Sequence, residues 1–143
     1  MTSSAPVAIS RSEMERMTSG CPGLKLVVLF GSVARQQARP DSDVDIGVLG
    51  GGFWDGLRIG AAVGARLGRE PQVVDLGTAS DLLCFHVARD GILLYEGAPD
   101  AWARFRAESA VRYFDVAPII ALCAEGARRR LALDAQRAVS GDG

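Results

Sequence analysis

The sequence predicts an α/β (α+β) fold, a small mixed sheet covered on one face by helices and followed by a C-terminal helical tail. Three observations carry that expectation. Residues 24–30, Leu-Lys-Leu-Val-Val-Leu-Phe, form a nearly continuous apolar run of strand length. Residues 43–49 alternate, with Val44, Ile46 and Val48 on one side and Asp43, Asp45 and Gly47 on the other. Between and after these runs, apolar residues recur at helical spacing.

The elements follow in order. Residues 1–8 read as a loose tail. Ser10-Arg-Ser-Glu13 has the form of a capping box and opens a short helix to about Thr18. Gly20-Cys-Pro-Gly23 breaks it, and the buried central strand 24–30 follows. Gly31-Ser32 turns into a short helix, about 33–38, that stops before Pro40. After the alternating strand comes the Gly50–Gly52 loop, then a helix over 53–67 with Gly68 as its C-cap. Gln72 to Leu76 is a short strand. Ser80 caps a helix through Arg89 that Gly91 ends, and Ile92 to Glu96 is the last strand. From Pro99 the pattern is helical in two segments, one around Trp102–Arg106 and one from Val116 to about Ala138, with Pro118 at a start or kink. The Ser-Gly-Asp-Gly end is expected to fray. Residues 1–97 thus read as the core and 98–143 as a helical extension of the same domain.

Composition narrows the function classes. The 143 residues are 48% hydrophobic and 23% charged, enough for a real core. A net charge of −1 leaves no global basic footprint, so nucleic acid is not an expected direct partner. Cys21, Cys84 and Cys123 are odd in number and widely spaced, which reads as buried free thiols. Neither a signal-peptide pattern nor an apolar run near membrane-spanning length occurs, so a cytoplasmic protein without membrane contact is expected.

The chemistry concentrates in residues 31–45. Gly31-Ser32 lies where a strand ends and a helix begins, so free backbone N–H groups there can face a phosphate. Asp43 and Asp45 sit two apart on a strand and leave the same face, their α-carbons roughly 6–7 Å apart, which lets both carboxylates converge on one or two Mg²⁺ ions. Asp75 is a third candidate. Acidic residues are depleted in strands, and with Val74 and Leu76 toward the core, Asp75 points the other way. If its strand neighbours residues 43–49, three carboxylates share a face and a divalent cation offsets their repulsion. An incidental aspartate at a sheet edge explains Asp75 about equally well.

Other residues carry weaker signals. Arg35 and Arg39 lie between cradle and clasp, where a triphosphate contact and a solvated helix face both account for Arg35. Ser42 precedes the clasp and suits either a phosphate contact or the turn. His86 reads as a satisfied core histidine. Gly50–Gly52 lacks a following Gly-Lys-Ser/Thr and is not a P-loop. Arg128–Arg130 reads as a solvated face, and Trp102, Phe105, Tyr113 and Phe114 as packing residues.

Gly31-Ser32, ten residues, then Asp43-Val44-Asp45 resembles the signature of the polymerase-β-type nucleotidyltransferases. Leu-Phe-Gly-Ser-Val-Ala-Arg followed by Asp-Ser-Asp-Val-Asp-Ile is similar to the minimal nucleotidyltransferase (MNT) group. The closing Ile-Leu-Leu-Tyr-Glu strand and Tyr113-Phe114-Asp115 resemble its antitoxin branch, paired with HEPN-domain toxins. The match is specific over 26–49 and looser to about 130. The resemblance implies a polymerase-β-like core in which Gly31 and Ser32 bind ATP; Arg35 and Ser42 join the expected nucleotide site from their place between cradle and clasp. It implies that Asp43 and Asp45 hold two Mg²⁺ ions, with Asp75 as third carboxylate completing metal site and catalysis. AMP would go to a tyrosine of the partner toxin. One departure stands out: Gln36 occupies a place where the family often has glycine. Two alternatives remain beside this expectation, a non-catalytic module that neutralises a toxin by contact and a nucleotidyltransferase for a small hydroxylated molecule.

Overall fold

Leu24–Phe30 becomes the central strand, β1, because its apolar run supplies core side chains to both faces of the sheet. The computed structural model describes residues 9–140, with side chains left aside at 116–117, 119–120, 134 and 136–140. Within them the order is α1 (Arg11–Thr18), β1, α2 (Gly31–Ala34), β2 (Val44–Gly50), α3 (Phe53–Leu67), β3 (Pro71–Asp75), α4 (Asp81–Asp90), β4 (Ile92–Glu96) and α5 (Ala101–Ser140). The expected tail over 1–8 and most of the expected fraying end lie outside the described residues.

The sheet runs β3-β2-β1-β4. β1 is antiparallel to β2 and β4, and β3 is parallel to β2, so the sheet is mixed. One face carries Val27 and Leu29 of β1 with Val44, Ile46 and Val48 of β2, packed against Met14 of α1 and Ile59 and Val63 of α3. α3 approaches closely because Gly56, Gly60 and Gly64, four apart and all buried, line its inner side. A β-carbon at Gly60 would collide with Val73, and one at Gly64 would stand 2.7 Å from the Arg69 carbonyl oxygen.

The other face carries Leu26, Val28 and Phe30 of β1, covered by Cys84, Val87 and Ala88 of α4 and Phe105 of α5. Helices therefore cover this face too, and Leu49 of β2 and Val74 of β3 pack at the margin of the same cluster. Toward β2 and β3 it opens around Asp45, where the sequence expects an open face. Cys84 is the buried thiol; Cys21 is half-buried and Cys123 exposed, so the expectation of three buried thiols holds for Cys84 alone.

Local signals explain most element ends. Ser10 and Glu13 exchange both bonds of a capping box. Gly68 ends α3 in the left-handed conformation, φ 67°. The Ser80 hydroxyl accepts from the Leu83 N–H at the start of α4. The two expected tail segments are instead one helix, α5, with Pro118 inside it. A proline costs a helix one backbone bond, and α5 continues on both sides of it. Its first half packs on α4, where Tyr113 stacks on Phe85 with ring centroids 3.9 Å apart and Arg106 donates to the Ala88 carbonyl. Arg128 and Arg129 pair with Glu125 along the helix, as a solvated face does. His86 contacts Arg89 within α4, Nδ1 lying 3.2 Å from Arg89 Nη2.

Candidate active site

Three residues from three strand ends form a row across the open half of the sheet. The antiparallel register sets Asp45 beside Phe30, so Gly31 follows directly over the aspartate. The parallel register sets Gln72 on its other side. The row therefore reads Gly31, Asp45, Gln72.

Gly31 has φ +77°, a backbone conformation that glycine adopts without steric cost. A β-carbon there would overlap Asp45 Oδ2 and stand 3.0 Å from its Cγ. The cradle and the clasp are thus in contact through the absence of a side chain. α2 begins at Gly31 without a side-chain cap from Phe30. Its first backbone N–H groups have no acceptor within the helix. The Ser32 hydroxyl makes no hydrogen bond among the described residues.

Asp45 is partly buried and Asp43, at the mouth, is exposed. Burial pushes the Asp45 carboxyl above the ordinary carboxylate range, the charge of Asp43 pushes it further, and the Arg35 guanidinium opposes both. Arg35 is thus within electrostatic reach of the clasp; the Asp90 carboxyl is held down first by its hydrogen bond from Arg89, with a smaller contribution from Arg35. Ser42 is committed to the turn: its hydroxyl accepts from the Arg39 N–H at 2.8 Å, and its own N–H donates to the Arg39 carbonyl. Arg69 fixes that turn from below, donating through Nη1 to the carbonyls of Arg39 and Ser42. Sequence reasoning passed over Arg69, since a residue after a helix C-cap carries no mark of contact with a loop 27 to 30 residues away. Gln36 takes φ 58°, the left-handed conformation a glycine would favour at this place.

Asp75 does not join the clasp. Val73 packs with the α3-side core and Val74 with the α4-side core. Alternation then puts Asp75 on the α3 side, where it lines a cleft of about 420 Å³ with Val48, Gly56 and Val73. Its Oδ1 accepts from the Gly77 N–H at 2.8 Å, a turn contact. Asp45 shares its face with Gly47, whose β-carbon position abuts Leu76 on the α4 side. The expectation that three carboxylates share a face is corrected accordingly: β3 does neighbour β2, but Asp75 leaves the opposite surface. Among the described residues no three metal-ligating side chains come together.

A metal held here has two carboxylates, Asp43 and Asp45, to bind. That donor set fits Mg²⁺, which takes one or two carboxylates and completes its shell with water and substrate phosphate. The partly desolvated Asp45, charged beside Asp43, gains from a cation at this point.

Comparison with known proteins bears on the family and the fold. The family described as polymerase beta, nucleotidyltransferase matches residues 13–100. The protein adenylyltransferase MntA of Shewanella oneidensis is 32% identical over 77 residues, 52% of this chain and 55% of that protein. The chain thus matches about half the length of this curated relative. A mutant of the MntA-HpeT toxin-antitoxin complex is similar in structure, with a TM-score of 0.64, 23% identity, and coverage of 82% of this chain and 98% of the other. A toxin-antitoxin structure with AMP-PNP gives 0.63 at 24% identity, over 82% and 98%. The tri-AMPylated Shewanella oneidensis HEPN toxin in complex with MNT antitoxin gives 0.59 at 23%, over 80% and 93%. At these identities the likeness is one of fold. No helix among the described residues is long and apolar enough to cross a membrane.

Proposed function

The chain belongs to the polymerase beta nucleotidyltransferase family, and from that premise we propose that it is a Mg²⁺-dependent protein adenylyltransferase. It moves AMP from ATP to a tyrosine hydroxyl of a HEPN-type partner toxin, and so acts as the antitoxin. The observation that carries this reading is the Gly31–Asp45 contact, which joins a phosphate cradle to a carboxylate clasp. The partial sequence likeness to a protein adenylyltransferase supports the choice of AMP and of a protein acceptor.

In this reading the backbone N–H groups at Gly31 and Ser32, with the Ser32 hydroxyl, donate to triphosphate oxygens. Arg35 adds positive charge beside them. Asp43 and Asp45 would hold Mg²⁺, which would supply positive charge against the transferring and leaving oxygens. The tyrosine oxygen bonds to the α-phosphorus in line with the bridge to the β-phosphate. That bridge breaks, pyrophosphate leaves, and the hydroxyl proton passes to solvent water. Arg69 keeps the 39–42 turn, and through it Asp43, in place.

The test is to incubate the purified chain with a HEPN-type toxin that forms a complex with it, ATP and Mg²⁺, and to measure the partner's intact mass. Addition of AMP units mapped to tyrosine supports the reading. An unmodified partner under conditions where the complex forms overturns it. One observation favours a second reading, neutralisation by contact alone: the clasp has two carboxylates rather than the three expected. An Asp43→Asn, Asp45→Asn variant that still neutralises the toxin in cells would favour it.

A further inference from the structure

The third place in the clasp is not empty of chemistry. In the parallel register of β2 and β3, Gln72 is the direct partner of Asp45. Adjacent strands lie about 4.8 Å apart, so the two residues are nearest neighbours across the sheet. They share a face, because Val74, two residues on, packs into the α4-side core that Asp45 and Gly47 border. Gln72 is exposed on the open half of that face and makes no side-chain hydrogen bond among the described residues. β3 is the edge strand of the sheet there.

We propose that Gln72, not Asp75, completes the Asp43–Asp45 site as a neutral positioning residue, and that its neutrality makes metal binding depend on nucleotide. The inference rests on the reading above. An amide has a carbonyl oxygen that accepts and an NH₂ group that donates. At this corner it can hold a phosphate oxygen or the acceptor hydroxyl, and it takes no proton at neutral pH. Two carboxylates attract a hard cation less than three, and the oxygens still needed for an octahedral shell come from the triphosphate. The free protein then holds its metal weakly, and ATP recruits metal and phosphate together.

The test measures Mn²⁺ binding by electron paramagnetic resonance, with and without AMP-PNP, on the parent, Gln72→Glu and Asp75→Asn. Circular dichroism first establishes that each is folded; Gln72 is exposed, so its replacement leaves the core intact. The parent should bind Mn²⁺ weakly alone and at least tenfold more tightly with AMP-PNP. Gln72→Glu should bind Mn²⁺ alone at least tenfold more tightly than the parent, and Asp75→Asn should match the parent in both conditions. A Gln72→Glu protein that binds Mn²⁺ alone no better than the parent overturns the proposal. So does an Asp75→Asn protein that loses metal. If AMP-PNP binds none of the three, the functional reading fails, while the metal-alone comparison still decides the place of Gln72.

Discussion

Gly31 lies against the carboxylate of Asp45, so that any β-carbon at residue 31 would occupy the space of Asp45 Oδ2. Residues 31 and 45, proposed to open the phosphate cradle and to form the clasp, therefore cannot be varied independently.

Gly31→Val is expected to abolish nucleotide binding, because it both strains a backbone at φ +77° and displaces Asp45. Ser32→Ala should be milder. It loses one hydrogen bond to a charged group, about 1.5–3 kcal/mol, and keeps the backbone N–H. Titration of both variants with AMP-PNP checks this. Parent-like affinity in Gly31→Val would move the phosphate site elsewhere.

Asp45 carries a pH signature. Its carboxyl titrates above the ordinary range, first because of burial and then because of Asp43. A carboxyl raised on folding opposes the folded state once it is charged. The fold is thus favoured below the unfolded value, about 3.9, and loses that advantage as pH rises through the folded value. Without metal, Asp45→Asn should raise Tm at pH 7, and the gain should shrink as pH falls through the raised folded value and be gone below about 3.9. Thermal melts of both proteins across pH read it directly. A loss of Tm at pH 7 would mean that the carboxylate supports the fold.

Gln36 stands with φ 58° after the short helix α2. A non-glycine residue there costs about 1–2 kcal/mol, part of which glycine returns as unfolded-state entropy. Gln36→Gly should therefore raise stability by up to about 1 kcal/mol in a urea melt, whereas Gln36→Val should lower it.

Much of this was legible in the sequence. The alternation of Val44, Ile46 and Val48 and the apolar run of β1 are local patterns, and the motif Gly31-Ser32 with Asp43 and Asp45 lies on contiguous chain. What escaped was relational. Val74 and Leu76 do point to a core and Asp75 does point away, as alternation requires. The sheet, however, has a core on both faces, and the one that receives Val74 and Leu76 is on the side of Asp45. Periodicity within one strand does not say which of its faces meets a neighbour's polar face; only the register of β2 with β3 does. The same non-locality hid Arg69. The run of Gly56, Gly60 and Gly64 was visible, but its role appears only when β3 passes beneath it.

That close approach gives a further prediction. Gly64→Ala improves intrinsic helix propensity, yet its β-carbon would meet the Arg69 carbonyl at 2.7 Å and Pro71 Cδ at 2.9 Å. Backbone cannot yield as a side chain does, so the variant should lose about 1–3 kcal/mol of stability by urea denaturation. Because Arg69 holds the 39–42 turn, nucleotide affinity should fall with it.

The most direct test of the central claim is transfer of label from ATP carrying ³²P at the α-phosphate to the HEPN-type partner. It compares the parent chain with the Asp43→Asn, Asp45→Asn double variant at equal complex formation. The account predicts a labelled partner with the parent and none with the double variant, which should remain folded because it only removes like charges from one place. Undiminished labelling by the double variant would contradict it.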